Sequence, residues 1–414
     1  MKFNKWTVGL AAVGLVSLTS AARADEKPSA VQTALSNTTI SGDVSASANV
    51  GLTQNYANSP ASGIDFQKGK LNGFNLDVVK LSIAKPEDES PWASGYQVDL
   101  LFGPDAVNYN DVAGSTAGSD FAIKQAYVSL RTPVGNGIDW KIGVFDSPLG
   151  YESFDGNPNY TRSYGYGLEP TELTGLEASY KISDAISLTG GVADTSSSGI
   201  NNRNNDQGPA YSQWHEAYFG DVTLTAPSSW GWLSGSALTA GMLYGSVETI
   251  ANNPNATSLN PVHSYMGGNQ VNYYAGLTLN TPWKELTTGL AFDYVRNLAG
   301  GYQTIGGNAY QDVDEQAYGL YATYKATDKL SFNARGEYVE ADVYNSDTYK
   351  HSINLVELTG TVEYDLWANV VSRVEVRWDQ NMSGSKTVDL AETGLVAGGE
   401  RESVGLYANV VYKF

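Results

Sequence analysis

The 414-residue sequence contains no cysteine and only three histidines, and each shortage removes a class of explanation. Without cysteine there are no disulfide staples, so a chain of this length must hold its fold by pairing and packing. No apolar run is longer than Trp6 to Leu18, which is too short for a helix that must cross a bilayer with roughly 20 residues. Strands of a transmembrane barrel remain allowed, because they alternate apolar and polar residues and keep the averaged hydropathy low. Positive charge is scarce as well: 25 Lys and Arg stand against 44 Asp and Glu, a formal net charge of -19, which argues against nucleic-acid binding.

Chemistry is equally short of parts. His215, His263 and His351 fall at strand beginnings or in loops, away from any serine motif, and the nearby Ser212 and Ser352 suit a rim. A Ser-His enzyme needs nucleophile, base and orienter within hydrogen-bond reach, so no enzyme is expected. Carboxylate pairs are too common in so acidic a chain to mark glycoside hydrolysis. Asp312-Val313-Asp314-Glu315 and the stretch Asn201 to Asp206 do not have the spacing of an EF-hand loop, so they are expected to be solvated acidic loops. No metal and no cofactor is expected.

What is present begins with an address. Lys2 and Lys5 precede the apolar stretch from Trp6 to Leu18, and Ala22-Arg23-Ala24 offers a small-residue cleavage site, the pattern of a secretory signal peptide over 1–24. Its removal takes Lys2, Lys5 and Arg23 and leaves the mature chain three charges more negative. Residues 25–37 form a short polar leader. With 27 tyrosines, 9 tryptophans and 44 glycines, composition favours strands, tight turns and interfacial aromatics.

From residue 38 onward one rhythm holds. Sixteen alternating segments lie near 38–54, 71–84, 94–103, 121–131, 138–145, 172–181, 185–193, 213–225, 236–247, 270–280, 286–297, 313–325, 329–340, 352–364, 367–379 and 402–414. In the last, Val404, Leu406, Ala408, Val410, Tyr412 and Phe414 share one face. In the segment before it, Val370, Val374, Val376 and Trp378 oppose Asn369, Arg373, Glu375, Arg377 and Asp379, a face too charged for a core. Tight connections such as Ser183-Asp184 and Asp365-Leu366 alternate with long ones over 55–70, 104–120, 146–171, 194–212, 248–269, 298–312, 341–351 and 380–401. A sandwich gives no reason for that alternation; short periplasmic turns and long extracellular loops do. Tyr180, Tyr324, Tyr364, Trp367, Trp378, Tyr412 and Phe414 near strand ends suit a membrane interface. The predicted fold is an all-β transmembrane antiparallel barrel of about sixteen strands over 38–414.

Two segments carry a resemblance. Val410-Val411-Tyr412-Lys413-Phe414 resembles the terminal signature of outer-membrane barrels, which makes Phe414 the candidate assembly signal. Gly143-Val144-Phe145-Asp146-Ser147-Pro148-Leu149-Gly150-Tyr151-Glu152, then Asn159-Tyr160-Thr161-Arg162-Ser163-Tyr164, Glu169-Pro170-Thr171 and Thr174-Gly175-Leu176, resembles the OmpL-like β-barrel porin family. The resemblance implies a pore-forming barrel in the outer membrane of a Gram-negative bacterium. Its surroundings would be lipid, lipopolysaccharide and the barrel-assembly machinery.

Sixteen strands enclose an aqueous channel where about eight would be filled by side chains. The loop over 146–171 carries Pro148, Pro158 and Pro170 with Tyr151, Phe154, Tyr160, Tyr164 and Tyr166. It is similar in position and length to the constriction loop of sixteen-stranded general porins, so inward folding is expected. Its charges Asp146, Glu152, Asp155, Arg162 and Glu169 are the candidate constriction residues. The alternation turns Lys141, Arg335, Glu337, Arg373, Glu375 and Arg377 inward as the pore wall, with Asp99, Asp139, Glu177, Asp293 and Glu357. The expectation is an acidic loop facing a basic wall strip on the thirteenth to fifteenth strands. That arrangement would pass small hydrophilic solutes and ions by passive diffusion, with a mild preference for cations. Alternatives are a substrate-specific pore, for example for sugars, and an adhesive or structural barrel. Small outward residues Ala46 and Ala48 hint at a homotrimer.

Overall fold

A computed structural model describes residues 37–53, 70, 72–109, 120–196, 199–201, 216–247, 269–298, 303–305, 308–310, 312–346, 349–383 and 402–414. The signal peptide, all but the last residue of the leader, His215, His263 and all but Asn201 of the stretch Asn201 to Asp206 lie outside them.

The period-two segments become strands β1 (Thr39–Gly51), β2 (Gly73–Lys85), β3 (Ser94–Phe102), β4 (Phe121–Thr132), β5 (Ile138–Asp146), β6 (Glu172–Lys181), β7 (Ile186–Ala193), β8 (Ala217–Thr225) and β9 (Ala237–Ser246). They continue as β10 (Asn269–Asn280), β11 (Leu286–Leu298), β14 (Asp312–Lys325), β15 (Leu330–Ser346), β16 (Tyr349–Trp367), β17 (Val370–Asn381) and β18 (Glu402–Lys413). These sixteen close into one barrel of antiparallel neighbours. Between β11 and β14, β12 (Gln303–Ile305) and β13 (Asn308–Tyr310) pair with each other as a separate hairpin.

Two expectations are corrected. The run Asp312 to Glu315, expected as a solvated acidic loop, opens β14 instead, with Asp314 opposite Arg296 and Glu315 buried. Over 341–351 pairing continues, with Asp342 opposite Ser352 and Ser346 opposite Tyr349, so β15 and β16 project as a long ladder. The alternation survives there through Val343, Tyr344 and Tyr349, residue types that favour strands, although the charges around them suggest a loop.

Closure leaves no sheet edge to aggregate. At the seam Ala46 lies opposite Val410 and Ala48 opposite Ala408. Gly42 and Phe414 exchange both main-chain hydrogen bonds at 3.0 and 2.9 Å. Leu320, Phe332, Leu358, Val374, Val376, Val410 and Tyr412 are exposed on the outside, whereas Arg335, Glu357, Glu375 and Arg377 are buried on the inside. This inverts a soluble domain and suits lipid around a polar interior. Rings of Phe292, Tyr318 and Tyr338 run across β11, β14 and β15 with centroids 5.2 and 6.4 Å apart.

Two irregularities break the alternation. Against β1, β2 carries an extra residue, because Ser45 faces Val78 while Ala46 faces Leu76, which leaves Asp77 in a bulge. Against β3, β4 does the same at Lys124, since Asp99 faces Gln125 and Leu100 faces Ile123. A bulge puts two successive side chains on one face. Here it adds the buried charges of Asp77 and Lys124 to the interior.

Candidate functional site: the segment 147–171 on the inner wall

The long connection between β5 and β6 does not stay outside. Its first turn places Leu149 in an apolar cluster with Phe145, Leu173, Phe219, Leu243 and Tyr274, all from the inner faces of β5 to β10. Tyr151 comes next, its ring 4.3 Å from that of Tyr321 on β14. It lies over Gly276 and Gly289, where any side chain on the wall would occupy the same space. Glycine serves here as a seat for a ring.

The middle of the segment is bound to the opposite wall by charge. Arg335 donates to Glu152 at 2.9 Å, to the Thr161 carbonyl at 2.8 Å and to Glu357 at 3.1 Å. Arg377 donates to the Arg162 carbonyl at 2.5 Å and forks onto Asp379 at 2.8 and 3.0 Å. Glu375 accepts the successive amides of Tyr160 and Thr161 at 2.6 and 2.8 Å, and the Thr361 hydroxyl at 2.6 Å. Glu337 accepts those of Tyr164 and Gly165 at 2.8 and 3.1 Å. These amides precede or begin a short helix, α1 (Tyr164–Leu168), capped by Ser163, whose hydroxyl accepts from the Tyr166 amide at 2.9 Å. Burying main-chain donors against carboxylates satisfies groups that an isolated loop would leave to water.

The tip is held at the bulge on β2. The Tyr160 hydroxyl donates to Asp77 at 2.9 Å, and Asp77 also accepts from Ser45 at 2.8 Å and Ser47 at 2.7 Å. At the far end Asn272 on β10 donates to the Leu168 carbonyl at 3.1 Å. Glu169 turns back to accept the Tyr151 amide at 2.8 Å, which ties the segment's two arms together.

The wall charges expected to face the pore therefore divide. Arg335, Glu337, Glu375 and Arg377, with Glu357, are covered by the segment and hold it, which corrects the expectation of a basic strip open to solutes. The cause is simple: alternation states which face a side chain takes, but not what lies against that face. Arg373 pairs below with Glu363 at 2.7 Å. Lys141 pairs with Glu177 at 2.8 Å. Among the loop charges, Glu152 belongs to the Arg335 network. Arg162 folds back on the Ser153 and Phe154 carbonyls, both at 2.6 Å, and stacks against Tyr166. The carboxylates that remain partly open are Asp146 and Asp155, and they pair with Lys124 and Lys80. The acidic edge of the segment thus faces lysines on β2 and β4, not arginines on β15 and β17. Asp77, Lys80 and Lys124 were missed in the sequence because the two bulges shift the period around them.

At the end with the short turns, Arg131 binds Asp139. Glu87, in the turn after β2, is raised to about 7 by partial burial and then by the neighbouring Asp139 carboxylate, against the pull of Arg131. Phe414 stands on the outer face with its ring half-exposed.

Residues 38–414 match the model of the family described as Putative beta-barrel porin-2, OmpL-like. The chain belongs to this family. It is an outer-membrane porin, a channel-forming β-barrel of the bacterial outer membrane. No curated protein matches its sequence. Solved structures are similar in fold. The outer-membrane channel DcaP of Acinetobacter baumannii superposes with a TM-score of 0.57 at 14% identity, over 91% of this chain and 97% of that one. The anion-selective porin from Comamonas acidovorans gives 0.57 at 13%, over 91% and 99%. The outer-membrane protein OmpT of Vibrio cholerae gives 0.54 at 11%, over 91% and 97%. Family and fold point to a channel rather than an enzyme.

Proposed function

We propose that this porin passes small hydrophilic solutes and ions by passive diffusion, with a mild preference for cations. The preference is set where the edge of the segment 147–171 faces the walls of β2 to β6. One observation carries this reading: the Asp146 and Asp155 side chains are 43% and 41% exposed, whereas their partners Lys124 and Lys80 are 3% and 8% exposed. A permeating ion meets carboxylate oxygens, with the ammonium groups behind them, and the local potential follows the nearer charge. Lys141, 28% exposed, moderates the effect and keeps the preference mild. The segment constricts the lumen, since it reaches from the β8–β10 side to β15–β17 and to β2.

The reading is tested by the reversal potential of the purified protein in a planar bilayer under a KCl gradient. Wild type is expected to favour potassium, and Asp146→Asn with Asp155→Asn to lower the cation-to-anion permeability ratio by about threefold or more. A wild-type reversal potential on the chloride side removes the cation reading. The small outward side chains of Ala46 and Ala48 support a homotrimer, which cross-linking in native membranes would detect. The half-exposed Phe414 ring on the outer face supports a role in recognition by the assembly machinery. The absence of catalysis is part of the same proposal.

A further inference from the structure

Three cations on the β2–β4 side of the lumen surround one ring. Lys80 on β2, Lys124 at the bulge of β4 and Arg162 on the segment 147–171 place their charged groups 6.0, 5.5 and 5.9 Å from the centroid of Phe154, each over the ring. Two more rings complete the enclosure. Tyr109 ends a short 3₁₀ helix (Pro104–Tyr109) in the connection after β3. It lies 5.9 Å from the Lys124 ammonium and meets Phe154 edge to face, with centroids 5.5 Å apart and planes at 85°. Tyr166 on α1 lies 5.1 Å from the Arg162 guanidinium, and its hydroxyl is 2.6 Å from that of Tyr109. Phe154 and Tyr109 are seated together on an apolar cluster that includes Val78, Leu101 and Ala122 of the inner wall.

Three like charges this close repel one another, and the flexible stem of a lysine lets its ammonium swing out into a wet lumen. All three are nevertheless drawn back: the side chains of Lys124 and Lys80 are 3% and 8% exposed, and Arg162 is 8% exposed. Pairing with Asp146 and Asp155 does not explain this order, because an ion pair fixes the separation of its partners and not which of them stands nearer the water. Asp99 adds a buried carboxylate to Lys80 at 3.5 Å. What all three cations share is the aromatic face, which carries negative charge in its quadrupole, attracts a cation and repels a carboxylate. A ring beneath the pairs therefore sorts them by sign, with cations inward and carboxylates outward.

We infer that Phe154, supported by Tyr109 and Tyr166, determines the charge preference of this pore: the ring faces hold Lys80, Lys124 and Arg162 off the permeation path and leave Asp146 and Asp155 in front. The inference rests on the reading that those two carboxylates meet the permeating ion, and it adds what keeps their counter-charges behind them. Phe154 is a positioning residue, acting through the lysines and not on the ion.

The test is the cation-to-anion permeability ratio of the full barrel in a planar bilayer under a KCl gradient. Phe154→Leu keeps an apolar side chain on the cluster and removes the face, so it is expected to lower the ratio by about threefold or more as the ammonium groups move toward the lumen. Phe154→Tyr keeps the face and is expected to keep the ratio. Phenylalanines of increasing ring fluorination, introduced at position 154, nearly preserve shape while draining negative charge from the face, a change to which mere packing would not respond. A ratio that falls stepwise with fluorination supports the cage. A ratio that stays constant along the series overturns it, even where Phe154→Leu lowers the ratio, since packing then accounts for the loss. A wild type that reverses on the chloride side removes the cation reading of Asp146 and Asp155, and the trend along the fluorinated series still decides the cage.

Discussion

Arg335 and Arg377 stand two strands apart and donate to the same atom, the main-chain carbonyl of Arg162, at 3.1 and 2.5 Å. A single loop carbonyl thus joins two guanidinium groups that each hold their own carboxylates, Glu357 for the first and Asp379 for the second. The segment 147–171 is fastened through its backbone, so its position depends on the wall more than on the identity of its side chains.

Removing Arg377 leaves Asp379 buried without its counter-charge, held only by the hydroxyls of Tyr164 and Ser403. Arg377→Met is expected to cost about 3–5 kcal/mol, the usual cost of breaking one side of a buried ionic network. Arg373→Ala, whose pair with Glu363 is partly open, is expected to cost less than about 1 kcal/mol. Thermal unfolding in detergent compares them, and limited proteolysis monitors the loop, which is expected to become cleavable near Arg162 only in Arg377→Met. Equal stability for the two variants would refute a structural role for the buried pair.

The seat for Tyr151 offers a packing test. A side chain at Gly289 would overlap the Tyr151 hydroxyl, so Gly289→Val is expected to destabilise by about 1–3 kcal/mol. Tyr151→Ala in the same molecule removes the overlapping ring, and the two changes are expected to cost less together than their sum. A double-mutant cycle measured by thermal unfolding gives the coupling. Strict additivity would mean that the ring is seated elsewhere.

Asp77 gathers the hydroxyls of Ser45, Ser47 and Tyr160. Asp77→Ala is expected to release the loop tip and to lower stability by about 2–4 kcal/mol, since hydrogen bonds to a charged acceptor are worth more than neutral ones. Tyr160→Phe removes one of the three and is expected to cost about 1 kcal/mol. Open-channel current noise, which reports loop motion, is expected to grow more in the first variant than in the second.

The rim with the short turns carries a pH dependence. Glu87 ionises at about 7 in the folded barrel against 4.5 in the free chain, so the folded state binds more protons between those values. Its contribution is complete below 4.5 and is lost as pH rises through about 7. The group is half-exposed, so the decline is expected to stay under about 1 kcal/mol after solvent screening. Glu87→Gln is expected to remove it, as unfolding measured across that window would reveal; an unchanged slope would refute the assignment.

Strand positions were readable because the two faces of each strand meet opposite solvents. Val374 and Val376 meet lipid while Arg373, Glu375 and Arg377 turn inward, and a period of two results. The limits of this signal are local. It failed at Asp77 and Lys124, where one inserted residue reverses the facing of its neighbours along the strand. It failed again over 341–351, where polar residues continue the ladder of β15 and β16. It could not tell an open wall from a covered one, so Arg335 and Glu152 were both recognised as interior charges without being recognised as partners.

The anchoring of the segment sets an order of events in assembly. Its contacts with Arg377 and Asp379 each join residues 215 positions apart. Contacts that distant form slowly, after the intervening chain is in place. Strands β5 and β6 can pair at once, but the sockets for Tyr164 and Arg162 exist only when β15 and β17 have joined the sheet. The barrel is therefore expected to pass through a stage with an unfilled interior, with the segment seated only after β17 has joined the sheet.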